Sequence, residues 1–314
     1  MPLLHFSLKR LAGMVLLLVA ISALTFFLVA SLPGDPIRTN LAKHATPETL
    51  QQLDHQYGLD RPVWQRYLTY MGGLLHGNLG LSLVQPGTRV NDLLADGLPV
   101  SLTLGGLSLL VALVIGVPLG TLAAVRQNHP LADHLSMGVM LVLYAVPALV
   151  LIPLLVSVFA VHLGWLPASG WGDDGWLGVK DAVLPVLVNA SASAGYFARS
   201  VRSFMLEVLG QDYIRTARAK GLPRRRVLYA HALKNTLIPF ASVLGPTLAF
   251  LVTGSFIVES LFSINGIGAI TVQATLAGDY AMTMATTLIL GATVIVVNAL
   301  TDIAYAVVDP RVAL

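Results

Sequence analysis

Long uncharged apolar runs alternate with short polar segments rich in glycine and proline, and the runs set the expected architecture. The first covers residues 11–32, behind Lys9 and Arg10. Five more follow near 99–125, 135–162, 182–198, 239–258 and 283–301. A helix rising 1.5 Å per residue needs about 20 apolar residues to cross the hydrocarbon core of a bilayer. Each run is therefore read as a membrane helix, with the short fourth run borrowing from its flanks. The first run exceeds the roughly 7–15-residue core of a signal peptide, so it is read as a retained span and not a cleaved leader. The expected fold class is an all-α polytopic membrane protein with six transmembrane helices.

Between the first two runs, residues 33–98 turn polar and punctuated. Pro33-Gly34-Asp35-Pro36 is a turn cluster that ends the first span. Thr46-Pro47-Glu48 supplies a cap, a first-position proline and an acid in the first turn of a short helix that Gly58 closes. A second helix is expected from about Pro62 to Leu75, ending at Gly77. This stretch reads as a small helical extramembrane subdomain between spans 1 and 2.

Composition supports the membrane reading. Apolar residues make up 55% of the 314, charged residues 11%, and the mean hydropathy is +0.75. A soluble domain carries about a quarter charged residues, because charge keeps its surface in water. The net charge of +3 and pI near 9.2 would suggest nucleic acid as a partner in a soluble protein; in a membrane protein they reflect basic cytoplasmic loops. Thirteen of the nineteen Lys and Arg fall on one side if the N-terminus is cytoplasmic, including nine in 199–234. Five of the other six lie in the long first loop, which translocates largely regardless of charge. Both termini are therefore expected inside.

Several chemistries are excluded. There is no cysteine, so no disulfide or thiolate site, and the eight His form no HxxxH or HExxH pair that would suggest a metal. No GxxxxGK[ST] loop is present to cradle nucleotide phosphates. The apolar cores of the spans hold no Asp, Glu, Lys or Arg; Glu259 and Asp302 lie near span ends, within reach of an interface or a partner. Ion-coupled carriers need ionisable groups at depth, so a secondary carrier is disfavoured. An intramembrane enzyme would need a nucleophile–base pair or metal cluster at depth, and none is visible. If the chain performs work, the energy enters from another polypeptide.

The entry point for that energy is the segment 207–239, which is helical by residue choice yet too polar to span. Asp212 is placed to cap a short helix, Tyr213 to Lys220, and Gly221 to terminate it in the left-handed conformation. Pro223 then starts a second helix running through His231 to about Asn235. The result is a helix–Gly–helix elbow surrounded by Arg215, Arg218, Lys220 and Arg224 to Arg226. Taken singly, these cations also fit topology enforcement and contact with lipid phosphates. That account leaves the Gly-Pro break unexplained.

These residues carry a resemblance. Tyr213-Ile-Arg-Thr-Ala-Arg-Ala-Lys-Gly221, followed by His231-Ala-Leu-Lys-Asn235 and Pro239, resembles the cytoplasmic signature loop of binding-protein-dependent ABC permeases, in the form seen in the oligopeptide/dipeptide/nickel group. Leu32-Pro-Gly-Asp-Pro36, Tyr57-Gly-Leu-Asp-Arg-Pro62, Leu163-Gly-Trp-Leu-Pro-Ala-Ser169 and Tyr305-Ala-Val-Val-Asp-Pro-Arg311 are similar to that group's first (B-type) permease subunit. Val90-Asn-Asp-Leu93 and Leu98-Pro-Val-Ser101 lean towards oligopeptide members. Two departures stand out: Arg215-Thr216-Ala217 replaces the broad Glu-Ala-Ala, as is usual in the peptide subgroup, and Asn265 stands before Gly266 where relatives commonly carry Pro.

The resemblance implies a type I ABC importer permease fold. Its parts would be a cytoplasmic N-terminus and first span (1–32), a periplasmic helical loop (33–98), a five-span core (99–306) with a coupling loop at 204–237, and a cytoplasmic tail (307–314). It implies a non-catalytic subunit in the bacterial inner membrane that works with a second homologous permease, two ATPase subunits, a periplasmic peptide-binding protein and membrane lipid. No nucleic acid is involved. No cofactor would sit on this chain; ATP and Mg would be bound by the ATPases. The coupling residues would be Asp212, Tyr213, Arg215, Ala217, Arg218, Ala219, Lys220, Gly221 and His231. Dipeptide, nickel or glutathione are the alternative cargoes on the same scaffold.

Outside the elbow, Gly116 and Gly120 form a GxxxG that favours close helix packing over gating. Asn189 and Asn298 read as interhelical hydrogen-bond donors, and Pro147 and Pro153 as bends in the third span. Trp165, Trp171 and Trp176 read as an interfacial belt.

Overall fold

The structure is a computed structural model that describes residues 2–31, 48, 55, 58, 60–85, 87–172, 178–253 and 255–308. Every extended element among them is a helix; the one strand-like feature is an isolated bridge between Leu81 and Arg89. In chain order the helices are α1 Pro2–Ala30, α2 Val63–Leu75, α3 Val90–Val125, α4 Pro130–Ala145, α5 Ala148–Leu155 and α6 Val179–Leu209. They continue with α7 Asp212–Ala219, α8 Arg224–Arg226, α9 Lys234–Thr253, α10 Phe256–Leu261, α11 Ile267–Leu276 and α12 Tyr280–Val308. Widened π-helical turns follow α5 (Val156–His162) and α8 (Val227–Leu233). The chain packs as two units: residues 1–101 with 265–295, and residues 102–264 with 296–314.

Among the described residues, four helical stretches are long and apolar enough to cross a bilayer: Ala12–Ala30, Val90–Val125, Arg224–Leu261 and Tyr280–Thr301. The third expected span differs from its sequence reading. It is two helices, Pro130–Ala145 and Ala148–His162, set at 100°. The break falls at Pro147, whose ring pushes Val146 into extended backbone (ψ 116°) and leaves the last turn without a continuing donor. Pro153, inside α5, produces no such break. The fourth expected span, 182–198, lies within α6, whose many small residues lower its hydropathy and whose inward face is packed by its neighbours.

In the first unit, α1 presents an apolar outer face (Leu16 71%, Leu24 64% and Leu28 60% exposed) and an inner face that meets α2. Ser22 and Tyr67 share a hydrogen bond of 2.9 Å, and the Phe26 and Tyr67 rings stand 5.3 Å apart. Helix α2 begins after Pro62 and ends at Gly77 (φ +72°), as its sequence predicts. The short helix expected from Thr46 lies largely outside the described residues. Val90, Leu94, Ile267, Met282 and Ala285 form the unit's core. A buried carboxylate, Asp279, fastens the 82–84 turn to the start of α12. Its Oδ2 accepts hydrogen bonds from the Ser82 hydroxyl (2.5 Å) and the Leu83 and Val84 amides, and its Oδ1 from the Met282 amide.

The second unit is built around α6. A Cβ at Gly116 would stand 2.7 Å from the Ala194 carbonyl, and one at Gly120 would collide with the Ala198 carbonyl, so the GxxxG of α3 lets its backbone lie directly against α6. On another side Gly195 admits α4, with the Met140 carbonyl 2.8 Å from where its Cβ would be. Phe197 meets Phe240 of α9 edge-to-face at 5.2 Å. Asn189 donates to the Ser108 hydroxyl and the Leu251 carbonyl, the interhelical role its position suggests. Glu259 departs from expectation: it is fully buried and accepts a hydrogen bond from Ser255. Trp165 is exposed beside Phe159, whereas Trp176 lies outside the described residues.

Candidate functional site: the basic elbow

The 207–239 segment folds as a tight turn–helix–turn between two long helices. Helix α6 ends at Leu209, and the amides of Gly210 and Gln211 close onto the carbonyls of Glu207 and Val208. Helix α7 then starts one residue earlier than the sequence suggests. Gln211 is the capping residue, in extended backbone, and its side chain makes no cap bond; Asp212 is the first helical residue. The carboxylate therefore supports the helix through its charge near the N-terminus, not through a cap. It also faces Arg215 at 3.4 Å, in the open, where such a pair contributes little.

The other end of α7 matches its reading closely. Lys220 is the C-cap and Gly221 has φ +72°. The Leu222 amide bonds the Ala217 carbonyl (3.4 Å) and the Gly221 amide the Arg218 carbonyl (3.0 Å), the paired bonds of a Schellman turn. Nothing lies within 4 Å of a Cβ at Gly221, so glycine is required there by backbone conformation alone. Pro223 follows in extended backbone as the cap of α8.

The second arm differs from the sequence reading. It does not stop near Asn235 but runs through the π turn into α9, so that the chain is helical from Arg224 to Thr253. His231, half-buried, sits in the π turn, where its carbonyl accepts from the Asn235 side chain (2.6 Å). The 220–223 turn thus joins α7 directly to the helical arm that continues into α9.

What aims α7 is a small apolar core. Ile214 is wholly buried and Ala217 nearly so, packed with Ala124 of α3, Met205 of α6, and Val227 and Ala232. Ile214 was not among the residues singled out from sequence, yet it carries a signal: with Ala217 it forms an i, i+3 apolar stripe on a helix whose remaining face is mostly polar, with Asp212, Arg215, Thr216 and Arg218. Of the predicted site residues, Ala217 faces this core. Asp212, Tyr213, Arg215, Arg218, Ala219, Lys220 and Gly221 all lie on the exposed side, and Arg224, Arg225 and Arg226 extend that surface. Recesses of about 550 Å³ (Gly210, Arg218, Leu222, Arg224) and about 520 Å³ (Glu207, Gln211, Tyr213, Asn235) flank the helix. The site is a knob between two hollows, strongly basic, with no group of His, Cys, Asp or Glu among the described residues able to hold a metal.

Comparison with known proteins agrees with this picture. The family model described as binding-protein-dependent transport system inner membrane component matches residues 116–314, and the corresponding N-terminal model matches residues 3–105. The oligopeptide transport system permease protein OppB of Salmonella typhimurium is 38% identical over 310 residues, covering 99% of each chain. OppB of Escherichia coli K12 is 36% identical over the same span, and the dipeptide permease DppB of Lactococcus lactis is 38% identical over 309 residues, 98% of this chain and 99% of that one. Among solved structures, an inward-facing methionine ABC transporter, MetNI, gives a TM-score of 0.57 at 22% identity, covering 69% of this chain and 96% of the other. That likeness shows the type I importer permease fold.

Proposed function

The chain belongs to the family of binding-protein-dependent transport system inner membrane components, and from that premise we propose that it is one of two permease subunits of an ATP-driven peptide importer. The observation that carries the proposal is the elbow: a basic, exposed knob packed on a small apolar core, whose second arm runs on into α9. Two ATPase subunits, which bind ATP and Mg, would receive the knobs of the two permeases in their surface clefts. Their ATP-driven closure would rotate α7 and lever α9, shifting the spans between inward- and outward-facing populations. No covalent chemistry occurs on this chain. A periplasmic binding protein would deliver the peptide. Oligopeptide and dipeptide permeases match equally well, which supports peptide as the cargo class.

In this reading α6 crosses as the fourth of six spans, and both termini lie in the cytoplasm of a bacterium whose inner membrane holds the chain. Cysteines placed singly as Ser169→Cys and Arg225→Cys test that orientation on a cysteine-free background. An impermeant thiol reagent added outside sealed cells should label the first and spare the second. Reconstitution tests the function. The chain alone in liposomes should neither hydrolyse ATP nor move peptide, and adding the second permease, both ATPases and the binding protein should produce ATP-dependent uptake. Proton-driven peptide uptake by the isolated chain would contradict the proposal.

A further inference from the structure

A cavity of about 380 Å³ in the first unit lies far from the elbow in sequence and plays no part in the coupling just described. Its walls come from α1 (Phe26), α2 (Arg66 and Tyr70), the 78–83 loop (Asn78 and Leu81) and the start of α12 (Met284).

Its polar groups are unbalanced. The Tyr70 hydroxyl is buried and has no hydrogen-bond partner among the described residues. Burial pushes that phenol well above its ordinary range, so it is a standing O–H donor. Arg66 is half-buried and forms no ion pair among the described residues; burial lowers its pKa, and the neighbouring Tyr280 phenol offsets that only in part. Arg61 adds a second cation at the rim. Native interiors rarely leave such donors unanswered. A site offering a guanidinium and a phenol O–H, with a second phenol, Tyr280, and no Asp or Glu among the described residues that line it, is built for an oxyanion.

The rest of the lining identifies which oxyanion. Phe26, Leu81 and Met284 make one side apolar, and Phe26 lies four residues before the end of α1, about 6 Å along a helix axis. The apolar stretch of α1, Ala12–Ala30, is long enough for about 28 Å of hydrocarbon. The cavity therefore opens at headgroup depth, where α1 turns an exposed apolar face (Leu24, Leu28) outward. We propose that this cavity binds the phosphate of an anionic phospholipid, held by Arg66 and Tyr70, with an acyl chain descending along α1. The bound lipid would tie α1 to α2 and α12 within this unit. The proposal uses no part of the elbow and rests on the transport reading only for the complex in which it is tested.

The test uses the complete transporter complex, purified and delipidated in detergent, with phosphatidylglycerol as the lipid probe and inorganic phosphate as the free-anion probe. Native mass spectrometry should show one phosphatidylglycerol per copy of this chain resisting delipidation, and a raised melting temperature with the lipid but not with inorganic phosphate. Arg66→Gln should weaken lipid retention about ten- to hundredfold, the usual effect of losing a hydrogen bond to a charged group. Tyr70→Phe, which keeps the cavity's shape, should weaken it about tenfold. Arg66→Lys should restore part of the loss, and peptide-stimulated ATPase activity serves as the control that the variants fold. Equal lipid retention by wild type and both variants would overturn the proposal. So would an equal response to inorganic phosphate, which would mark a free-anion site. A loss of binding-protein affinity in Arg66→Gln without any change in lipid would assign the arginine to a protein contact and overturn it as well.

Discussion

Gly221 is where one added carbon should separate coupling from folding. Its φ of +72° lies in the left-handed region, which costs a residue with a Cβ about 1–2 kcal/mol, more for a β-branched one. No neighbouring atom stands within 4 Å of the new Cβ, so the penalty is conformational strain with no steric clash added. Opposing it are the two Schellman bonds, Leu222 to Ala217 and Gly221 to Arg218, which together hold the turn by about 1–3 kcal/mol net. Strain and restraint are of the same size, so Gly221→Val should leave the correctly aimed elbow a minority or near-even population. Ile214 and Ala217 remain anchored in their core, and the membrane spans are untouched, so membrane level should hold. The assay is ATP-driven peptide uptake, with ATPase co-purification, at matched expression. Gly221→Val should at least halve uptake and loosen ATPase attachment. Gly221→Ala should be milder and Gly221→Asn mildest, because Asn enters the left-handed region most readily. Near-normal uptake by Gly221→Val would show that the turn is only a surface connection and would refute the reasoning.

Three further outcomes follow from the packing. Ile214→Ala empties the centre of the elbow's core and should cost about 2–5 kcal/mol locally, reducing uptake while the surface cations stay intact; unchanged uptake would show that this core does not aim α7. Gly120→Leu forces α3 off the Ala198 carbonyl and should sharply lower the level of folded protein in the membrane, which an immunoblot of detergent-soluble, monodisperse protein reads; wild-type levels would contradict the close α3–α6 contact. Asp279→Asn places an amide donor among four donors and should cost about 1–3 kcal/mol, lowering the melting temperature of the complex; an unchanged melting temperature would show that the carboxylate is not the fastener of the 82–84 turn.

How far the sequence spoke depends on whether a feature is set locally. The Gly221 turn was legible because a left-handed C-terminus needs glycine and α7 is too short to end otherwise. The α2 helix was legible for the same reason, bracketed by Pro62 and Gly77. The GxxxG of α3 announced a close contact, though not its partner: α6 is recognisable as that partner only once Ala194 and Ala198 are seen beneath the two glycines. Three features were hidden because long-range packing decides them. Val146-Pro147 reads equally as a kink or a break, and the 100° turn emerges from what α4 and α5 separately pack against. Asn235 looks like a stopping point, yet the π turn absorbs the change of register and carries the helix onward. Glu259 looks like an interfacial acid from hydropathy, and only the fold shows it buried beside Ser255. At the elbow, charge drew the eye to the exposed face, whereas the residue that fixes its aim, Ile214, is a single apolar side chain on a polar helix.

The central claim is that α7 is the surface through which ATP-driven motion enters this chain. Ala219 is exposed on that helix, and the chain contains no other cysteine to confuse a cross-link. The most direct measurement introduces Ala219→Cys into the complete, actively transporting complex in proteoliposomes and adds a short thiol-to-lysine cross-linker. The account predicts a cross-linked product between this chain and an ATPase subunit, a parallel loss of peptide uptake, and, when the linker is cleaved, disappearance of the product with recovery of uptake. Full uptake with no ATPase adduct, or an adduct formed only with the binding protein, would contradict it.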